Sequence, residues 1–169
     1  MALPRVLKNF NVFYEGYNFL GICESVELPK LTRKMEEYRG GGMNGPVSVD
    51  LGIEKLEMTH NYGGFTREVF ESFGAVKVGS VLLRFSGACQ REDTEEVDRV
   101  EIVCRGRHSE IDAGTAKAGE KNEFKVVSQL SYYRLSINQD TLVEIDLENF
   151  VEKVGGSDRL AKQRDALGI

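Results

Sequence analysis

From Val47 the apolar residues Val47, Val49, Leu51 and Ile53 alternate with Ser48, Asp50, Gly52 and Glu54. This two-residue period predicts a strand with one buried and one wet face. After Glu54 the parity slips, since Leu56 and Met58 now carry the apolar positions, as at a β-bulge or where a chain passes from one sheet to another. Val100, Ile102 and Cys104 alternate with Glu101, Val103 and Arg105, and Tyr133, Leu135 and Ile137 alternate with Tyr132, Arg134 and Ser136. A turn at Asn138-Gln139-Asp140 and a return run from Leu142 to Ile145 make the latter half of a long hairpin. Further strands are predicted over Asn11–Phe19, Glu24–Pro29, Val76–Ser86 and Glu123–Ser131. The total, about eight, predicts a mainly β chain folded as an antiparallel β-sandwich or barrel.

Two helices interrupt the strands. Thr66 is placed to cap the first, with Phe65 and Phe70 at the positions of a hydrophobic staple and Gly74 at the far end, for about two turns. The second is a short carboxyl-terminal helix from Leu160 to Leu167, capped by Ser157 or Asp158 and stopped by Gly168. There is no repeat and no linker rich in Gly, Ser or Pro, so residues 1–169 are expected to form one domain. At 169 residues the chain can bury roughly 70% of its extended surface, enough for a core without metal or disulfide staples.

Charge removes several classes of function. Against 22 Lys+Arg stand 27 Asp+Glu, a net charge of −5. General attraction to nucleic acid or anionic lipid is therefore not expected. The amino terminus has no apolar signal segment and no apolar run approaches a membrane span. Cys23, Cys89 and Cys104 are odd in number and far apart, as expected of reduced packing thiols.

The motifs that catch the eye dissolve on physical grounds. Gly40, Gly42 and Gly45 satisfy G-x-G-x-x-G, but Pro46 and an alternating strand follow where a phosphate site needs the amides of a helix N-terminus. The segment reads as a mobile loop or as one ordered by another subunit. His60 and His108 lie in no catalytic or metal motif and are expected to be surface or strand-packing residues. The acidic run Glu92–Asp98 lacks EF-hand spacing and reads as a solvated loop. Phe10, Phe13, Tyr14, Tyr17 and Phe19 lie without flanking cations, as expected for core or interface packing rather than base stacking. No catalytic, cofactor or metal site is expected, and no enzymatic activity.

Together, Leu28-Pro29-Lys30-Leu31, Glu37-Tyr38-Arg39 leading into Gly41-Gly42-Met43, Pro46 to Gly52, Leu142 to Asp146 and the ending Ala166-Leu167-Gly168-Ile169 form a recognisable order. The chain resembles the major tail tube proteins of contractile-tailed bacteriophages and of the related R-type tailocins. The resemblance implies a structural subunit of the virion tail, assembled in the bacterial cytoplasm, whose hexameric rings stack helically into a hollow conduit for DNA ejection. Its implied partners are further copies of itself, the sheath, the baseplate hub and the tail terminator. It further implies an amino-terminal arm over residues 1–10 and a protruding loop over residues 33–46. That loop would reach a neighbouring subunit through Lys34, Glu37, Tyr38, Arg39, Gly40, Gly41, Gly42, Met43, Asn44, Gly45 and Pro46 and order on assembly.

A bore that lets DNA slide should carry carboxylates, which repel phosphates and retain water. Asp50, Glu54, Glu101, Glu144 and Asp146 stand on wet strand positions and are the candidates for the lumen or for inter-subunit pairs with Arg105 and Arg134. Two alternatives stay open: a tailocin or type VI secretion tube, and a monomeric β-barrel that binds a ligand or acts as an enzyme.

Overall fold

The computed structural model describes residues 1–169. Its spine is a pair of long antiparallel strands, β8 (Val97–Asp112) and β9 (Phe124–Ile137). Before them come β1 (Val6–Tyr14), β2 (Tyr17–Asn18), β3 (Cys23–Glu27), β4 (Arg33–Tyr38), β5 (Val47–Ile53), β6 (Leu56–Tyr62), helix α1 (Arg67–Glu71) and β7 (Val81–Gln90). After them come β10 (Asp140–Asp146), β11 (Val151–Val154), β12 (Ser157–Asp158) and helix α2 (Ala161–Leu167).

One antiparallel sheet runs β12-β11-β10-β9-β8-β7-β1-β2, and β6 with β3 branches from β9. The branch arises because β9 serves two partners on the same edge: Phe124–Leu130 pairs with β6, and Tyr132–Ile137 pairs with β10. At the changeover the buried parity of β9 passes from Phe124, Val126, Ser128 and Leu130 to Ser131 and Tyr133. Across the ladder the β8 register shifts between Arg105 and Gly106. Such a bulge bends the strand pair, which folds the β6 branch over the rest of the sheet to enclose the core. Gly106 is required there, because a Cβ would lie 2.0 Å from the Gln129 carbonyl oxygen.

The parity slip after Glu54 is the passage between sheets: β5 pairs only with β4, whereas β6 joins the main sheet. The expected segments Glu123–Ser131 and Tyr133–Ile137 are one strand, and the strand over Val76–Ser86 begins only at Val81. Twelve strands replace the expected eight, two of them just two residues long. Residues 6–10 of the expected amino-terminal arm lie in β1. The acidic run beside them is not simply solvated: Glu92 pairs with Lys8, Asp98 with Arg5, and an Asp93 carboxylate oxygen accepts from the Leu3 amide at 3.2 Å.

Helix α1 is one short turn rather than two. The Phe65–Phe70 staple forms with ring centroids 6.3 Å apart, but Thr66 donates its hydroxyl to the Gly64 carbonyl instead of capping an amide. At α2, Asp158 accepts from the Leu160 amide at 3.1 Å and pairs with Arg164, while Gly168 closes the helix in the left-handed conformation.

Val12, Tyr14, Met58, Tyr62, Leu83, Ile102, Phe124 and Val126 are among the seventeen buried apolar residues of the core. Through it runs a polar chain. The Tyr62 hydroxyl lies 2.6 Å from His60 Nδ1, His60 Nε2 3.0 Å from Ser128 Oγ, Ser128 Oγ 2.9 Å from His108 Nδ1, and His108 Nε2 2.8 Å from the Tyr14 hydroxyl. Tyr14 then meets Ser72, which donates to the Glu68 and Val69 carbonyls. Only one proton arrangement satisfies every member: Tyr62 donates to His60, His60 to Ser128, Ser128 to His108, His108 to Tyr14 and Tyr14 to Ser72. The reverse order leaves the buried Tyr62 hydroxyl without an acceptor. Both imidazoles are thus neutral Nε2–H tautomers, and burial lowers the pKa of His60 to about 3 and that of His108 to about 4. The histidines are strand-packing residues that tie α1 to the sandwich.

Candidate functional site

The segment expected to be a loop over residues 33–46 is instead most of a β-hairpin. β4 and β5 pair through Tyr38↔Val47, Glu37↔Ser48, Glu36↔Val49 and Met35↔Asp50, and the turn spans only residues 39–46. Lys34, Glu37 and Tyr38 are strand residues, while Arg39, Gly40, Gly41, Gly42, Met43, Asn44, Gly45 and Pro46 form the tip. The sequence RKMEEY shows no apolar alternation, which is why β4 escapes notice. The tip is held from within: Gly40 donates its amide to Met43 Sδ at 3.1 Å and Arg39 Nε donates to the Met43 carbonyl at 3.3 Å. Gly42 has φ +83, the left-handed region in which a side chain is strained. No helix follows, so the glycines form no phosphate cradle.

The alternation that predicts a buried face on β5 has nothing to cover it. Val47, Val49 and Leu51 share one face of the hairpin and are 49%, 43% and 51% exposed. Tyr38 stands beside Val47 on that face, while Met35 is exposed on the other. A two-stranded ribbon is marginal in water without an apolar support, and this one is fixed at its base. Arg33 Nε pairs with Asp50 at 2.8 Å, and its Nη1 pairs with Glu152, which is buried on β11. The Glu54 amide donates to the Thr32 carbonyl at 2.8 Å. Arg33 and the Gly52 amide hold the Asp50 carboxyl below its ordinary range, the amide being the larger cause.

A second apolar surface lies around α1, where Phe65, Phe70 and Phe73 are exposed together with Val76 and Val78. A third unsatisfied feature is the edge of β1. β7 takes one side of Val6–Tyr14, but β2 covers the other only at Phe13 and Tyr14. The Phe19 amide donates to the Val12 carbonyl at 2.9 Å, and the backbone from Val6 to Asn11 has an open strand edge.

The five wet acids do not meet on one surface. Asp50 belongs to the hairpin and Glu54 to the exposed link after it. Glu101, Glu144 and Asp146 stand together on the outward face of the β7–β10 sheet, among Arg84, Arg99, Arg105 and Arg134. Glu101 pairs with Arg99 at 2.8 Å and lies 3.8 Å from Arg84. Asp146 is engaged by its own turn, accepting from the Glu148 and Asn149 amides at 3.1 Å. The arginines Arg84 and Arg99 escape a reading that seeks carboxylates alone, although alternation with apolar neighbours already marks them as outward. No cluster of three His, Cys, Asp or Glu side chains is arranged to hold a metal ion. No helix is long and apolar enough to cross a membrane.

Exposed apolar surfaces and an open strand edge mark a chain with faces on which further chains can seat. The model of the phage tail tube protein FII family matches residues 4–168, and the chain belongs to that family. It is 49% identical over 172 residues to the tail tube protein of Escherichia phage P2, covering all of both chains. It is 39% identical to the major tail tube protein of Serratia phage KSP20, over 92% of this chain and 91% of the relative. Among solved structures, the fold resembles the sheath-tube complex of an extracellular contractile injection system (TM-score 0.60, 13% identity, 79% of this chain and 91% of that one). It also resembles the tube-terminating cap of the anti-feeding prophage (TM-score 0.62, 16% identity, 82% of this chain and 93% of that one). The protein is a structural component of a tail tube and not an enzyme.

Proposed function

We propose that this chain forms the inner tube of a contractile phage tail as hexameric rings stacked into a hollow conduit. The observation that carries the reading is the coexistence of two separate unsatisfied apolar surfaces, on the hairpin and around α1, with an open β1 edge. A ring needs one heterologous interface that closes, and a stack needs a second that does not. The β1 edge fits lateral pairing with the sheet of a neighbour, and the hairpin, extended from the body on a fixed base, fits the reach across the ring junction. The hydrophilic outward face of β7–β10 is then the bore, across which DNA passes in a layer of water.

Sheath, baseplate hub and tail terminator are the partners this reading implies; solved neighbours of the same fold come from a sheath-tube complex and a tube-terminating cap. Deletion of Arg39–Gly45 tests the reading. The variant should keep its fold and lose polymerisation, giving no tubes by negative-stain microscopy where the parent gives tubes of uniform bore. Unimpaired tubes from the deletion would remove the hairpin from the axial contact, and a parent that stays monomeric at high concentration would overturn the whole reading.

A further inference from the structure

On the outward face of the main sheet, long side chains enclose a hollow of about 360 Å³ with no apolar residue in its lining. Arg84 from β7, Arg99 and Glu101 from β8, and Arg134 from β9 contribute its charges, with Ser136 and Thr141 at one side. Three guanidiniums stand against the one carboxylate of the lining, on a chain whose net charge is −5. Glu101 is shared by Arg99 and Arg84. Arg84 is further positioned by Phe13, its guanidinium lying 4.0 Å over the ring.

Arg134 completes the picture. It forms no ion pair, although Glu144 stands opposite it in the β9–β10 ladder, and its Nε is shut off from solvent with no acceptor. With Nε closed to solvent, what Arg134 offers a ligand in the hollow is its terminal guanidinium nitrogens, which no carboxylate holds. We infer that this hollow is a phosphate-binding site, in which Arg134, Arg99 and Arg84 receive one backbone phosphate of a nucleic acid. Planar guanidiniums match the tetrahedral oxygens of a phosphate with paired donors, and the excess of positive over negative groups in the lining matches its charge. Glu101 keeps the contact weak by competing for the same donors.

The assignment of nucleic acid as the source rests on the proposed reading of this face as the bore. There, one such hollow per subunit would give moving DNA a ladder of brief holds between repelling carboxylates.

Titrating inorganic phosphate into the full-length chain at constant ionic strength, with the Nε–Hε NMR signals of the arginines as readout, tests the site. Arg84, Arg99 and Arg134 should shift saturably, with Arg67 and Arg164 unmoved. Arg134→Gln should weaken phosphate binding about tenfold, the loss of one charge-assisted contact. Glu101→Gln should strengthen it, so a binding change in either direction is readable against a folding defect. A 20-base-pair duplex should perturb the same three signals. Shifts that do not saturate, equal shifts with chloride, or saturation by a poly-glutamate peptide and not by phosphate would overturn the site. Phosphate binding without duplex binding would overturn nucleic acid as the ligand. Tubes that form without any phosphate effect refute this inference and leave the conduit standing, whereas a saturable effect on a chain that never polymerises does the reverse.

Discussion

His60 and His108 share one hydroxyl: Ser128 Oγ lies 3.0 Å from Nε2 of the first and 2.9 Å from Nδ1 of the second. The two rings come from β6 and β8, on opposite sides of β9, and meet with centroids 5.8 Å apart. Ser128 can donate to His108 Nδ1, and Tyr62 to His60 Nδ1, only while those nitrogens carry no proton, so the core has a built-in sensitivity to acid.

Stability should therefore fall as pH drops below about 6.5. In the folded chain burial depresses both imidazoles, to about 3 for His60 and about 4 for His108, so the unfolded chain binds more protons through this window. At about 1.36 kcal/mol per pKa unit, His108 alone accounts for a loss on the order of 3 kcal/mol by pH 4. Chemical denaturation between pH 7 and 4.5, above most carboxylate titration, measures it. His108→Gln should flatten the slope, and an unchanged slope would mean that the imidazole is not held neutral.

Ser128→Ala removes the shared partner and strands a donor on His60 and an acceptor on His108. A loss of about 3 kcal/mol in unfolding free energy is expected. In the parent, nitrogen NMR should find both histidines protonated on Nε2; an Nδ1–H tautomer in either would contradict the direction of the chain.

Gly106→Ala should cost about 3 kcal/mol or more. The added methyl meets the Gln129 carbonyl 2.0 Å away, and both partners are backbone at the bend of the β8–β9 pair. The contrast is Gly41→Ala in the hairpin tip, where nothing lies within 4 Å. Similar melting temperatures for the two variants would argue against the bend.

Arg33→Ala leaves the buried Glu152 carboxylate unpaired and frees the base of the hairpin. About 1–2 kcal/mol of stability should be lost, with tube formation reduced more than the melting curve implies. If a folded Arg33→Ala chain polymerises at the parental rate, hairpin orientation does not govern the axial contact.

Much of this was legible along the chain. Alternation located β5, β6, the middle of β8 and the β9–β10 hairpin, and the slip after Glu54 marked the passage between sheets. The Phe65–Phe70 staple was written in their spacing. β4 was not, because an exposed ribbon has no inward face to impose a period on RKMEEY. The histidine chain was not, because its bonded partners lie up to 94 residues apart. The charged hollow was visible only as scattered arginines.

Local sequence sets which residues alternate, where parity breaks and which glycines end a helix, because strand and helix periods are properties of neighbouring residues. It also carries the family likeness. The fold alone decides which apolar face is covered and which is left bare. Val47 and Ile102 alternate alike, but only Ile102 has a sheet packed against it. Parity names two faces of a strand; what lies over each is fixed by packing partners distant in the chain.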